Sequence, residues 1–228
     1  MKKHGFSKLS ILKHSLLGIC CSLAFNSNAA VILNEIDYDQ PGADTAEFIE
    51  LFNNGSTSVS LENYSIELVN GRDASVYRSI DLSGFNIDAN SYFVVCGNAT
   101  LVLNCDYSFA AINSWMQNGA PDAVALYEAD TLLDALSYEG ELPPHTEGTA
   151  LSISDSNTGI MSISRIPNGF DSDNNDLDFQ SGCITPGTAN IAGTGDCSVA
   201  QLSAVPVPAA AWLFASGLIG LAGFARRS

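Results

Sequence analysis

Lysine is missing from nearly all of this 228-residue chain. Lys2, Lys3, Lys8 and Lys13 are the only four, and between Lys13 and Arg226 the only basic residues are Arg72, Arg78 and Arg165. Nucleic acid is held by basic side chains that neutralise phosphates, so this deficit excludes it as a partner. Histidine is nearly as scarce: of three, only His145 lies beyond residue 14. A serine or cysteine nucleophile needs a base beside it, and no G-x-S-x-G sequence occurs. His145 follows Leu142-Pro143-Pro144 and reads as a loop residue rather than a general base. There is no C-x-x-C pair, and one core histidine is too few to complete a Cys/His zinc site. No long amphipathic helical pattern crosses the middle of the chain, where the sole helical candidate is a short stretch near Ala110 to Met116.

Acid is what the chain has instead. All 25 Asp and Glu residues lie between Glu35 and Asp196, against three arginines in the same span, a formal difference of −22. Such a surface stays soluble, repels polyanions and suits cations or basic partners. Among so many carboxylates no single pair stands out. A glycosidase needs two flanking a sugar cleft, and Glu35 with Glu47 or Glu50 is the pairing to consider. The densest cluster is Asp171-Ser172-Asp173-Asn174-Asn175-Asp176-Leu177-Asp178. Oxygen ligands at alternate positions suit Ca²⁺, which takes six to eight of them. Asp171, Asp173, Asn175 and Asp176 are the candidate metal ligands, and Ca²⁺ is the one cofactor considered. The EF-hand pattern fails, because Asp176 stands where glycine is needed and Gly182 where the bidentate glutamate belongs. A solvated acidic turn is the alternative. Asp37, Asp39, Asp44 and Glu47 around Pro41-Gly42 form a second candidate cluster.

Both ends carry targeting features. The basic start is followed by Leu16-Leu17-Gly18-Ile19-Cys20-Cys21-Ser22-Leu23-Ala24-Phe25, an apolar stretch of signal-peptide length. Ser27-Asn28-Ala29 presents small residues where a signal peptidase reads, so residues 1–29 read as a signal peptide cleaved after Ala29. Ile19 before Cys20 argues against lipidation. Removing the signal leaves Cys96, Cys105, Cys183 and Cys197, an even number that reads as disulfides in an exported chain. Four cysteines allow three connectivities. Cys96–Cys105 with Cys183–Cys197 is favoured because each closes a short local loop.

At the far end, residues 209–225 carry no charge, and Ser216 is their one polar side chain. At about 1.5 Å per residue, a helix of that length measures roughly 26 Å, the short end of a membrane span. Pro206 and Pro208 keep the approach extended, and Arg226-Arg227 would remain cytoplasmic. The order Val205-Pro206-Val207-Pro208-Ala209-Ala210, Trp212-Leu213-Phe214, Ser216-Gly217-Leu218, Gly220-Leu221, Arg226-Arg227 resembles the PEP-CTERM type of sorting signal in its VPLPA-like variant. Val207 stands where that variant carries leucine. The resemblance implies recognition by an exosortase-type membrane peptidase and removal of the helix. A plain membrane anchor is the alternative.

Between the ends, short apolar runs alternate with turn residues. Candidate strands are 31–36, 47–52, 64–69, 76–82, 91–96, 123–128, 131–138 and 161–166, the sixth and seventh flanking a tight turn at Ala129-Asp130. This spacing predicts one all-β sandwich over 30–182. A Gly/Ala/Ser/Thr-rich linker follows at 183–204, then the sorting signal at 205–228. Val31-Ile32-Leu33-Asn34-Glu35-Ile36, Glu47-Phe48-Ile49-Glu50-Leu51-Phe52-Asn53 and Val59-Ser60-Leu61-Glu62-Asn63-Tyr64-Ser65-Ile66 resemble the lamin-tail domain family. So do Asn118-Gly119-Ala120-Pro121-Asp122 through Tyr127, Asp134 through Tyr138, and Ser164-Arg165-Ile166-Pro167-Asn168-Gly169. The resemblance implies an immunoglobulin-like β-sandwich with an attachment or scaffold role and no reaction. It makes Glu35, Glu47 and Glu50 framework positions.

The combined expectation is a non-enzymatic exported protein, transiently in the inner membrane and then at the cell surface or in an extracellular polymer matrix. Its partners would be signal peptidase and an exosortase-type peptidase for processing, then an extracellular polysaccharide or matrix protein. The rivals are a secreted hydrolase with an unrecognised site and a permanently membrane-anchored periplasmic binding module.

Overall fold

The computed structural model describes residues 31–109, 113–155 and 158–193. The expected signal peptide with Ala29, Cys197, and the expected sorting signal (Val205, Pro206, Val207, Pro208, Arg226, Arg227) with its apolar run lie outside them. Among the described residues no helix is long and apolar enough to cross a membrane.

All eight expected strands form, within a residue or so of their expected ends. They are β1 (Val31–Asp37), β2 (Phe48–Asn53), β4 (Tyr64–Asn70), β5 (Ser75–Asp81), β7 (Ser91–Cys96), β9 (Asp122–Glu128), β10 (Thr131–Tyr138) and β11 (Ser162–Arg165). Four short strands complete the set: β3 (Val59–Ser60), β6 (Asn86–Ile87), β8 (Tyr107–Ser108) and β12 (Phe179–Gly182). One helical turn, α1 (Asn175–Asp178), precedes β12. The helix expected near 110–116 is not present in its described part, 113–116. Ser114 takes φ 49°, outside the helical region. The Glu47 carboxylate accepts the Trp115 and Met116 amides at 2.7 and 3.2 Å, giving the turn non-helical partners.

Six strands run in the order β12-β11-β1-β2-β7-β8, four in the order β10-β9-β4-β5, and β3 pairs with β6. All pairings are antiparallel except β7 with β8. Period-2 alternation sends Val31, Leu33, Ile36, Ile49, Leu51, Phe93, Val95 and Ile163 inward from the large sheet. Ile66, Leu68, Ile80, Val124, Leu126 and Leu136 meet them from the other. Each such burial contributes roughly 1.5–3 kcal/mol. The result is the all-β sandwich the spacing predicts.

The outer face of the large sheet is covered as well. Phe48, Val94, Cys96 and Val102 make a second apolar cluster there, joined by Ala46, Cys105 and Ile184. Every residue of β1 and β2 is therefore buried. Central strands closed on both faces read as continuous apolar runs, so the polar exceptions Asn34, Glu35, Asp37, Glu50 and Asn53 mark where the structure does something specific.

Candidate functional site

The first polar centre lies between the sheets, around Arg165. On β11, Arg165 shares the inward parity of Ile163, so a guanidinium enters the sandwich with no solvent exposure. Two bulges receive it. Asn34 interrupts the β1–β2 register, and Leu133 interrupts β10–β9. The second bulge turns Asp134 inward, where it accepts Arg165 Nη2 at 2.8 Å and the Leu33 amide at 2.7 Å. Arg165 Nε donates to the Leu33 carbonyl at 2.7 Å. The β1–β11 ladder pairs Glu35 with Ser164 and Ile36 with Ile163. Beyond it the ion pair takes over as the partner of the Leu33 backbone. Nη1 reaches the Phe170 carbonyl, Asp178 and Asp171 at 3.0, 3.0 and 3.2 Å. The guanidinium also lies over the Phe179 ring, 4.4 Å from its centre.

This centre explains the acidic segment 171–178. Asp134, Glu147 and Asp171 approach one another as a metal site's ligands would, but Asp134 and Asp171 already share the cation of Arg165. Glu147 gives one carboxylate oxygen to the Ala135 amide at 3.0 Å. Burial pushes it up to about 9, reinforced by the Asp134 charge, so it is neutral near pH 7. In the expected ligand set, Asp171, Asn175 and Asp176 hold separate partners and Asp173 is exposed. Asp171 binds Arg165 and the Asp173 amide. Asn175 is buried and mimics a neighbouring strand along the β10 edge. It accepts the Ser137 amide at 3.1 Å and donates to the Ala135 carbonyl at 2.7 Å. Asp176 accepts the Ser152 amide at 2.9 Å, and Asp173 is exposed at φ 56°. Side chains spent on the backbone and a guanidinium do not converge on an ion.

The second centre is on the outer face of the large sheet, where Glu35 and Glu50 sit opposite each other on β1 and β2. Both are fully buried. Glu35 accepts the amide and hydroxyl of Thr185 at 2.9 and 2.7 Å. Glu50 accepts the Asn34 side chain at 2.7 Å and the Gly187 amide at 2.6 Å. Burial pushes Glu35 up to about 7. It raises Glu50 well above the carboxylate range, with the Glu35 charge adding to it. Two carboxyls in this geometry invite the glycosidase reading, but chain 184–190 closes over them, so no sugar reaches them in this conformation. Glu47 is equally framework: its oxygens hold the 114–116 turn, and burial lifts it to about 8.

Of the second acidic cluster, Asp37 faces Asp155 rather than Asp44 or Glu47. Burial, then the Asp155 charge, raises Asp37 well above its ordinary range. Asp155 accepts the Tyr38 and Asp39 amides, while Asp44 accepts the Gln40 amide. His145 is buried, as a lone loop histidine often is not. Its Nε2 meets the Tyr127 hydroxyl at 3.1 Å, and burial lowers its proton affinity. It approaches no serine or cysteine nucleophile among the described contacts.

Cys96 and Cys105 are joined, as the short loop between them implies. Cys183 is also disulfide-bonded; the expected partner, Cys197, lies outside the described residues. The Arg165 centre escaped the sequence reading, although two signals for it existed. Arg165 has the parity of Ile163 in its strand, and Asp134 interrupts an otherwise apolar run.

No curated protein matches the chain. A family model described as Lamin Tail Domain matches residues 25–140. The match takes in both bulged strands and Asp134, while Arg165 and the chain that covers Glu35 and Glu50 follow it. With half its length matched and its strands in two packed sheets, the chain belongs to the lamin tail domain family.

Proposed function

We propose that this is a non-enzymatic exported protein whose lamin tail domain serves as an adhesion or scaffold module at the cell surface or in an extracellular matrix. A C-terminal signal of the PEP-CTERM type would sort it there. The observation that carries the reading is the three-part tail: Val205-Pro206-Val207-Pro208, an uncharged run over 209–225, and Arg226-Arg227. Membrane insertion needs only the run and its charged end. The proline repeat outside it is left for a peptidase to read.

The sandwich supports a binding role more than a catalytic one. Glu35, Glu47 and Glu50 are spent on backbone amides and Asp134 on Arg165, and the one described histidine is packed against Tyr127. Exposed Asp and Glu side chains would face a basic protein or a cation-bridged polysaccharide.

Pro206→Ala with Pro208→Ala tests the sorting step in a host carrying an exosortase-type peptidase. Wild-type protein is expected outside the cell, with mass spectrometry placing its end near residue 205. The variant is expected to stay in the membrane at full length. Extracellular protein that keeps Arg226-Arg227 would overturn this reading and favour the permanent anchor.

A further inference from the structure

The chain after β12 is a strap. From Thr185 to Asn190 it lies across the outer face of the large sheet, and its polar contacts fall on a few groups, most of them buried. Glu35 takes the Thr185 amide and hydroxyl, and Glu50 takes the Gly187 amide. Asn104 donates to the Pro186 carbonyl at 2.8 Å. Asn190 donates to the Asn34 and Arg165 carbonyls at 2.8 and 3.0 Å. Gly187 has φ 76°, and a Cβ there would meet the Asn104 side chain at 2.5 Å, so the strap crosses too close for a larger residue.

Among the described residues, the groups facing the two glutamates on every side are neutral or acidic, so none offers the pair a cation. Asp106 adds its charge beside Glu50, and Asp155 does so beside Glu35. Asp37 is two residues along β1. From β7, Tyr92 feels both glutamates. From β11 come Ser162 and Ser164, whose hydroxyls are 3.0 Å apart. Arg165 turns its guanidinium to the opposite, inner face. The pair thus has no cation to share, and ionising both carboxyls under the strap places two charges in a dry site. Lifting the strap admits water at the cost of the hydrogen bonds of Thr185, Pro186, Gly187 and Asn190, whereas neither strand can move without opening the sandwich.

We propose that the segment Thr185–Asn190 is a proton-controlled latch: it stays closed while the Glu35–Glu50 pair keeps a proton and opens when both carboxyls ionise. This inference rests on the folded domain alone and is independent of the sorting reading. Burial of the pair sets the direction. A carboxyl whose folded affinity for protons is raised holds the closed form below its unfolded value, near 4.5; the hold weakens as Glu35 ionises near 7 and is lost once Glu50, raised well above the carboxylate range, ionises as well.

The test is hydrogen exchange by mass spectrometry on the purified full chain, following the peptide that contains Thr185 and Gly187 from about pH 5 to about pH 9. Intrinsic exchange already accelerates about tenfold per pH unit. Opening that releases one proton adds about another tenfold per unit wherever the closed form is protonated and the open form ionised, and this extra slope vanishes above the closed form's raised value. Peptides from β2 and β9 should keep their protection throughout. Glu35→Gln with Glu50→Gln removes both charges and should abolish the extra pH dependence. If that variant fails to fold, Glu50→Gln alone should lower it. Strap exchange that follows the intrinsic rate alone in wild-type protein overturns the latch. Simultaneous loss of protection in β2 and β9, or an extra slope that persists in the folded variant, does so too.

Discussion

Replacing Arg165 with glutamine should be among the most damaging single changes to this domain, and the structure supplies the magnitude. The side chain is fully buried and balances Asp134, Asp171 and Asp178. Removing one partner of a buried ion pair costs about 3–5 kcal/mol, because the remaining charge stays buried. The Leu33 carbonyl loses its 2.7 Å donor in the same step. Against a typical total stability of about 5–15 kcal/mol, that is roughly a fifth or more. For a domain of this size it lowers Tm by about 10 °C. The loss should also depend on pH. Burial already raises Asp134 above its ordinary range even with Arg165 beside it, and removing the guanidinium raises it further. A raised folded value favours the folded state below the unfolded one and loses that advantage as pH rises. The deficit should therefore be smaller near pH 4.5 than near pH 7.5. Urea denaturation followed by circular dichroism at both pH values measures this directly. Arg165→Gln with Asp134→Asn should recover part of the loss, since the two sites are coupled. A single variant within about 1 kcal/mol of wild type near pH 7.5, or a deficit equal at both pH values, would refute the reasoning.

Four further outcomes are expected. Stability should fall as pH rises from about 5 to 9, because Glu35, Glu47 and Glu147 bind protons in the folded state up to about 7, 8 and 9; urea midpoints across that range check it, and a rising midpoint contradicts it. Asn175→Ala should cost about 2–4 kcal/mol by exposing the Ser137 amide and Ala135 carbonyl to burial without partners, while Asp173→Ala, at an exposed position, should cost under about 0.5; comparable losses would show that the β10 edge is not what Asn175 protects. Reducing Cys96–Cys105, which spans a separation of 9, should remove about 2–3 kcal/mol, and denaturation of a Cys96→Ala, Cys105→Ala variant isolates that bond from the one at Cys183. Ca²⁺ should raise Tm no more than Na⁺ at matched ionic strength; a larger rise that Asp171→Asn abolishes would restore the loop as a cation site.

The strands were legible because each carries its own signal. Tyr64-Ser65-Ile66-Glu67-Leu68 alternates, and Ala129-Asp130 announces a hairpin, so local pattern and tertiary fold agree there. Two-residue strands such as Val59–Ser60 and Asn86–Ile87 have no period to detect, and they form because the neighbouring strands bring them together. The stretch before Met116 looked weakly helical, yet Glu47, far away in sequence, decides its shape through two amides. The acidic loop shows the same limit more sharply. Alternating oxygens in sequence fix what residues 171–178 carry and leave open where each side chain points. Only the fold brings Arg165 and the β10 edge to meet them.

The buried acids and the acidic surface have one physical origin. With so few basic residues, the domain cannot pair its carboxylates one to one; among the described residues Arg165 is fully buried against three of them, and Arg78 lends its charge to Glu47. At the other buried sites neutrality has to come from protons or from backbone N–H groups. Glu47 uses the turn amides of Trp115 and Met116, Asp155 those of Tyr38 and Asp39, and the Glu35–Glu50 pair those of the strap. These amides come from loops, so Glu47, Asp155 and the Glu35–Glu50 pair each tie a loop to the sheets. Disulfides fix the loop at Cys96–Cys105 and the chain at Cys183 in the same region. Loss of a proton therefore loosens loops before it loosens strands, and acid rather than base is the condition under which this acidic domain is held most tightly.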